Sequence, residues 1–147
     1  MSNLADNRKA HFDYELGEKY EGGIELLGGE VKSVRAGRAH LTGSYVKVLG
    51  GEVWLLGARI EPYQPSNISG AFDPERNRRL LFTKKEIAEF TRATDKGGLT
   101  LVPISLYSKG RRIKIGVSLA KGKKSRDKRE TIKRRESDRE IERTLKN

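Results

Sequence analysis

Ser44-Tyr-Val-Lys-Val-Leu49, Gly50-Gly51 and Glu52-Val-Trp-Leu-Leu56 follow one another without a break. Both arms are rich in β-branched and aromatic residues, which suit a pleated, half-buried surface. The Gly-Gly pair between them takes positive φ at no steric cost, as a two-residue hairpin turn demands. The stretch reads as a β-hairpin, and it marks the chain as one built from short antiparallel strands.

Working toward the C-terminus, Arg59-Ile-Glu-Pro-Tyr63 ends a strand, because Pro62 has no N–H for a ladder. Residues 64–74 are a loop, closed by the turn chemistry of Asp73-Pro74. Thr83-Lys-Lys-Glu86 is a capping box, so a helix should start at Lys84 and run to about Thr94, with Ile87 and Phe90 facing the core. Lys96-Gly97-Gly98 stops it. Leu99-Thr-Leu-Val-Pro-Ile-Ser-Leu-Tyr107 is a strand in which Pro103 demands an edge or a bulge. After a turn at Ser108-Lys109-Gly110, Ile113, Ile115, Val117 and Leu119 alternate with polar positions in a return strand to Ala120.

Working toward the N-terminus, Gly37 is a C-terminal stop for a short helix over residues 30–35, with Val31 and Val34 on one face. Two turns of helix need a sheet to pack on. Gly28-Gly29 reads as a turn, a strand starts at Gly23, and Phe12 and Tyr14 lead into another that runs through Tyr20. Short antiparallel strands with small helices in about 120 residues imply a closed or nearly closed β-barrel.

The chain has 147 residues, no Cys and a net charge of +11. A domain of this size buries roughly two-thirds of its unfolded surface, enough for one core. Without Cys there are no disulfides, thiolate metal sites or thiol nucleophiles. No apolar run approaches the ~20 residues of a membrane span and no signal core opens the sequence, so a cytoplasmic location is expected. Residues 121–147 contain 12 Lys/Arg against 6 Asp/Glu, a net of +6, and residues 1–120 carry the remaining +5. Both parts suit phosphate-bearing partners. The organisation expected is a β-barrel over 1–120 and a basic C-terminal tail over 121–147.

The junction is the densest charge in the chain. Lys121, Lys123, Lys124, Arg126, Lys128 and Arg129 fall within nine residues, with Asp127 as their only acid. Further on, Glu130/Arg134 and Glu142/Lys146 stand four apart and Glu140/Arg143 three apart, each pair favouring helix by ~0.2–0.5 kcal/mol. That is too little to fold a segment without an apolar face. The tail should be disordered when free and helical once a polyanion neutralises it.

Enzyme readings find little support. His11 and His40 lack metal-ligand spacing, and the phosphate-loop, nucleophile-elbow and dinucleotide motifs are missing. Glu21 and Glu30 could serve an RNA-processing enzyme as a carboxylate pair only if the fold joined them. No catalytic residue, cofactor or metal is expected. A barrel that binds RNA would use cations such as Arg8, Lys9, Arg76, Arg78 and Arg79 on phosphate. It would use aromatics such as Phe12, Tyr14, Tyr20, Tyr45, Tyr63 and Tyr107 on bases, although core packing is the favoured reading for most of them. A ribosomal or rRNA-assembly protein with a basic tail fits the same features.

Several blocks occur in a specific order: Asn7-Arg-Lys-Ala, Gly29-Glu-Val-Lys-Ser-Val-Arg-Ala-Gly37, Ser44-Tyr45, Asp73-Pro74-x-Arg76-x-Arg78, Lys84-Lys-Glu-Ile87, Leu99-Thr-Leu-Val-Pro103 and Ala120-Lys-Gly-Lys-Lys-x-x-Asp-Lys-Arg129. In combination they closely resemble the bacterial SsrA-binding protein family, also called small protein B. The resemblance runs from Asn7 to about Lys133. It implies a mainly β fold, an oligonucleotide-binding-type antiparallel barrel with two or three short flanking helices. It also implies an adaptor, not an enzyme, that binds the tRNA-like domain of transfer-messenger RNA and delivers it to the A site of stalled ribosomes for peptide tagging.

Partners implied by the resemblance are transfer-messenger RNA, the ribosome through 16S rRNA, the decoding centre and the mRNA channel, and elongation factor Tu indirectly through the RNA. A monomer without a membrane partner is expected. The family's RNA-binding positions correspond to Asn7, Glu21 and Leu81. Its tail positions at the decoding centre and vacant mRNA channel correspond to Gly122, Lys123, Lys124, Asp127, Lys128, Arg129, Ile132 and Lys133. Arg126 stands where many family members carry His or an aromatic, a place that a planar guanidinium can also fill by stacking. Phe82-Thr83 replaces the usual Leu/Met-His, and the loop over residues 66–72 departs from the family pattern.

Overall fold

The computed structural model describes residues 2–63 and 72–123. The hairpin forms as expected. Strand β4 (Tyr45–Leu49) pairs with β5 (Glu52–Leu56) from Tyr45↔Leu56 to Leu49↔Glu52, and Gly50 and Gly51 turn it at φ 59° and 75°. The second long hairpin joins β8 (Thr100–Lys109) to β9 (Arg112–Gly122).

The other strands are β1 (Ser2–Asp6), β2 (Tyr14–Ile24), β3 (Ala39–His40), β6 (Arg59–Ile60) and β7 (Arg78–Leu81). One antiparallel sheet runs in the order β1-β8-β9-β2-β7-β5-β4, and β3 and β6 form a separate two-stranded piece. The sheet curls until β4 lies against β8, but its two edge strands, β1 and β4, do not pair. The barrel is therefore partly open.

Helix α3 (Lys84–Asp95) sits against both β8 and β4 and covers that seam. It starts where the sequence indicates: Thr83 Oγ1 accepts from the Glu86 amide at 3.2 Å, and Glu86 Oε1 accepts from the Thr83 amide at 2.9 Å. Phe90 on its inner face is fully buried, edge-on to Tyr20 and Phe82 with ring centroids 4.8 and 5.0 Å apart. Helix α2 (Gly28–Arg35) places Val34 in the same core and ends at Gly37, whose φ is 78°.

Besides Gly28 and Gly29, which open α2 instead of forming a turn, three features depart from the sequence reading. First, residues 8–13 form a short helix, α1 (Arg8–Asp13), rather than the start of a strand. Its Ala10 packs with Val102 and Ala120 in a satellite cluster. Second, β1 adds an unexpected edge beside β8. Third, β2 runs unbroken through Gly22 and Gly23, where two separate strands were expected. A Cβ on Gly22 would lie 2.5 Å from the Phe82 ring, and one on Gly23 would lie 3.3 Å from Leu81 Cβ. The glycines are there because neighbouring side chains occupy that space, and no turn occurs.

Pro103 behaves as its chemistry demands. The register of β8 against β9 shifts between Pro103 and Ser105, which makes a bulge in an interior strand.

Candidate nucleic-acid interface

The site candidates separate along β2. Its first residue, Tyr14, pairs with Gly122, and its last, Ile24, pairs with Leu80. Asn7, Arg8 and Lys9 lie with Lys121, Gly122 and Lys123 at the first end. Glu21, Arg79 and Leu81 lie toward the other.

At the first end the β8 bulge turns two carbonyls toward Asn7. The Asn7 amide donates to Ile104 O at 2.8 Å, and its Nδ2 donates to Pro103 O at 2.8 Å. Only 4% of Asn7 is exposed. Its side chain locks the entry to α1 onto the bulge. Arg8 and Lys9, one residue further on, are exposed.

A cleft of about 270 Å³ opens here between α1 and the start of β4, with Lys9, Asp13, Tyr14 and Tyr45 among its walls. Lys121 and Gly122 belong to β9, paired with Glu15 and Tyr14. The Lys123 amide then donates to Asp13 O at 3.0 Å and its Nζ to His11 O at 3.1 Å. The root of the basic segment is thus seated on the C-terminal carbonyls of α1. Lys124, Arg126, Asp127, Lys128, Arg129, Ile132 and Lys133 lie outside the described residues, as do the expected disorder and helix of the tail.

Toward the second end, Leu81, Gly23, Lys114 and Tyr107 are cross-strand neighbours on β7, β2, β9 and β8. Leu81 is 46% exposed, and Gly23 beside it adds no side chain, so the row is low and open. Glu21 borders it. Tyr107 Oη donates to Glu21 Oε2 at 2.6 Å, and Lys109 Nζ donates to Oε1 at 3.0 Å. These two bonds hold the Glu21 carboxyl below the usual range. Burial, helped by the same carboxylate, pushes the Tyr107 hydroxyl up. At neutral pH the group is a charged acceptor with fixed orientation, able to take a base amino group or a 2′-OH.

The three arginines of β7 and its approach do different things. Arg79 is half-exposed, near Glu25 (3.8 Å) and Glu52 (3.7 Å). Arg76 reaches Glu30 Oε1 at 2.5 Å and keeps about a third of its side chain exposed.

Arg78 is a correction to the expected phosphate contacts, because none of it is exposed. Its Nε and Nη2 donate to Glu30 Oε2 at 2.9 and 2.6 Å, and its remaining donors reach Ala58 O and Pro74 O. Glu30 also accepts from the Leu27 amide at 2.9 Å, closing the first turn of α2. Burial pushes the Glu30 carboxyl up, but the Leu27 amide, Arg76 and Arg78 together outweigh it and leave it lowered. Arg78 is thus a tie between α2, β7 and two loops.

Glu21 and Glu30 do not meet: each is committed to different partners on different parts of the sheet. Among the described residues no cluster of His, Asp or Glu has the form of a metal site, and no helix is long and apolar enough to cross a membrane.

Sequence reasoning left out the turn between β8 and β9. Lys109, Arg111, Arg112 and Lys114 crowd it, a density that was present in the sequence but was read only as a turn.

The model of the SmpB protein family matches residues 4–147. The SsrA-binding protein of Ligilactobacillus salivarius is 51% identical over 144 residues, covering 98% of this chain and 92% of the relative. That of Roseiflexus sp. (strain RS-1) is 48% identical over 143 residues, covering 97% and 90%. A solved chain described by the words "tmRNA-SmpB: a journey to the center of the bacterial ribosome" superposes with a TM-score of 0.68 at 41% identity, covering 86% of this chain and 92% of that one.

Proposed function

Because the chain belongs to the SmpB family of SsrA-binding proteins, we propose that it is a non-catalytic RNA-binding adaptor of trans-translation. Its β domain grips the tRNA-like domain of transfer-messenger RNA and carries it to the A site of a stalled ribosome. The basic tail then engages the decoding centre and the vacant mRNA channel, where bound mRNA would compete for the same space and the same rRNA phosphates.

The observation that carries this reading is a family match that runs on past the barrel through the basic tail to residue 147. The layout of the described residues supports it. Exposed Arg8 and Lys9 and the Glu21–Leu81 surface are available to one RNA, while Lys123 launches the tail from the end of β2 remote from Leu81. Asn7 and Arg78 serve by holding α1 and β7 in place. Glu21, Arg79 and Leu81 make direct contacts.

The test is a comparison of the full chain with one ending at Lys123, the last described residue, which bonds to α1. Both should bind an isolated tRNA-like domain with similar affinity, and only the full chain should support tagging on stalled ribosomes. Tagging by the shortened chain would refute the role of the tail. Equal affinity of the full chain for the tRNA-like domain and for rRNA hairpins would point to a ribosomal protein instead.

A further inference from the structure

The turn between β8 and β9 stands over a second cleft, of about 290 Å³, at the end of β2 remote from the tail root. Its floor is apolar, with Ile24, Leu26, Val31 and Ile113 set beside the half-exposed Leu81. Its rim is cationic, formed by Arg111, Arg112 and Lys114. Arg35 adds a fourth positive charge, since its Nη2 donates to Arg111 O at 2.7 Å.

Positive charge is concentrated around this cleft. Arg59, Arg76, Arg78 and Arg79 each have a carboxylate within 4.0 Å. Arg35, Arg111, Arg112 and Lys114 form no such ion pair among the described residues. Lys114 acts on Glu21 only through space, and that carboxylate is already bonded by Tyr107 and Lys109. Four cations gathered around one cleft repel one another, and an anion arriving among them relieves that repulsion.

An anion alone would leave the apolar floor bare. A single unstacked nucleotide answers both features, with one flat apolar face and a phosphate on either side. A protein partner would have to bring an acidic residue and an apolar one together into a cleft of this small size. The chain's excess positive charge favours nucleic acid.

We propose that this cleft receives one unpaired nucleotide of the bound RNA. The base lies on the floor between Leu26 and Leu81, and its flanking phosphates lie on Arg111, Arg112 and Arg35. The proposal rests on the RNA-binding reading above and adds a specificity-determining contact to it.

The experiment uses the full chain with three RNA probes: a tRNA-like domain transcript, an rRNA hairpin with an unpaired loop, and a perfect duplex of similar length. Arg111→Ala with Arg112→Ala should lower affinity for a looped RNA about tenfold or more near 0.15 M salt. It should also reduce the salt slope by about 1 to 2, at −0.7 to −0.9 per phosphate lost. Leu26→Ser should weaken looped RNA several-fold, leave the salt slope unchanged, and spare duplex binding. Circular dichroism and urea unfolding of each variant separate these effects from loss of fold.

If looped RNA binds both variants within twofold of the parent chain, or if Leu26→Ser weakens duplex and looped RNA equally, the cleft is overturned. If the parent chain binds the rRNA hairpin as tightly as the tRNA-like domain, the adaptor reading fails instead. The cleft is then judged on the rRNA hairpin by the same two variants.

Discussion

Glu30 and Arg78 are both fully buried, so their pairing is a condition of the fold. Removing one partner leaves the other charge without compensation, at a cost of ~3–5 kcal/mol. Glu30→Gln should therefore destabilise the chain by about that amount in urea unfolding at pH 7. The pH dependence follows from the lowered Glu30 pKa. A depressed folded value stabilises fully above the ordinary value of 4.5 and is lost as pH falls through the folded one. The gap between parent and Glu30→Gln should shrink below pH 4.5, and a gap independent of pH would contradict the ion pair. Asn7 supplies a parallel case. Asn7→Ala should cost ~1–3 kcal/mol by orphaning the carbonyl of the β8 bulge, lowering Tm by several degrees. Arg8→Ala with Lys9→Ala should leave Tm nearly unchanged and weaken RNA binding. Asn7, Arg8, Lys9 and Arg78 were visible in the sequence as candidates for RNA contact, and Glu30 only as one of a speculative carboxylate pair. Nothing local says which of them face inward, because burial is decided by strands far along the chain.

At the scale of elements, what was legible was whatever is specified within a few residues. The Gly50-Gly51 turn, the Thr83–Glu86 box and the Gly37 stop each carry their own chemistry, and each formed where expected. Helix α1 has only six residues, too few for a period to show, and its packing partners Val102 and Ala120 lie some ninety residues or more away. Strand β1 finds its pairing partner in β8, about a hundred residues further along the chain. The glycines of β2 misled most directly, since Gly22-Gly23 looks like punctuation until Phe82 and Leu81 are placed over it. Gly22→Ala should consequently cost ~1–3 kcal/mol by driving a methyl into the Phe82 ring and disturbing its contact with Phe90. Thermal unfolding of that variant, beside an alanine at the open-sided Gly29, measures the difference. Comparable losses at both would mean that crowding is not the cause.

For the molecule as a whole, the sequence divided body from tail near residue 121, whereas β9 continues to Gly122 and Lys123 still bonds to α1. A chain ending at Lys123 should melt like the full one. One ending at Ala120 loses the pairs of Glu15 and Tyr14 with β9 and both Lys123 bonds, and should be less stable by ~1–2 kcal/mol. Differential scanning calorimetry distinguishes the two, and equal melting of all three would place the boundary back at 121. The same strand arrangement has a bearing on partner choice. With one continuous strand joining the arm's point of departure to the far cleft, the chain contains a gauge of fixed length, at most ~33 Å for ten steps of extended backbone. A nucleic acid that engages both extremities must match that interval, so lengthening or shortening an RNA stem between its two points of contact should penalise binding even when every contacting nucleotide is retained.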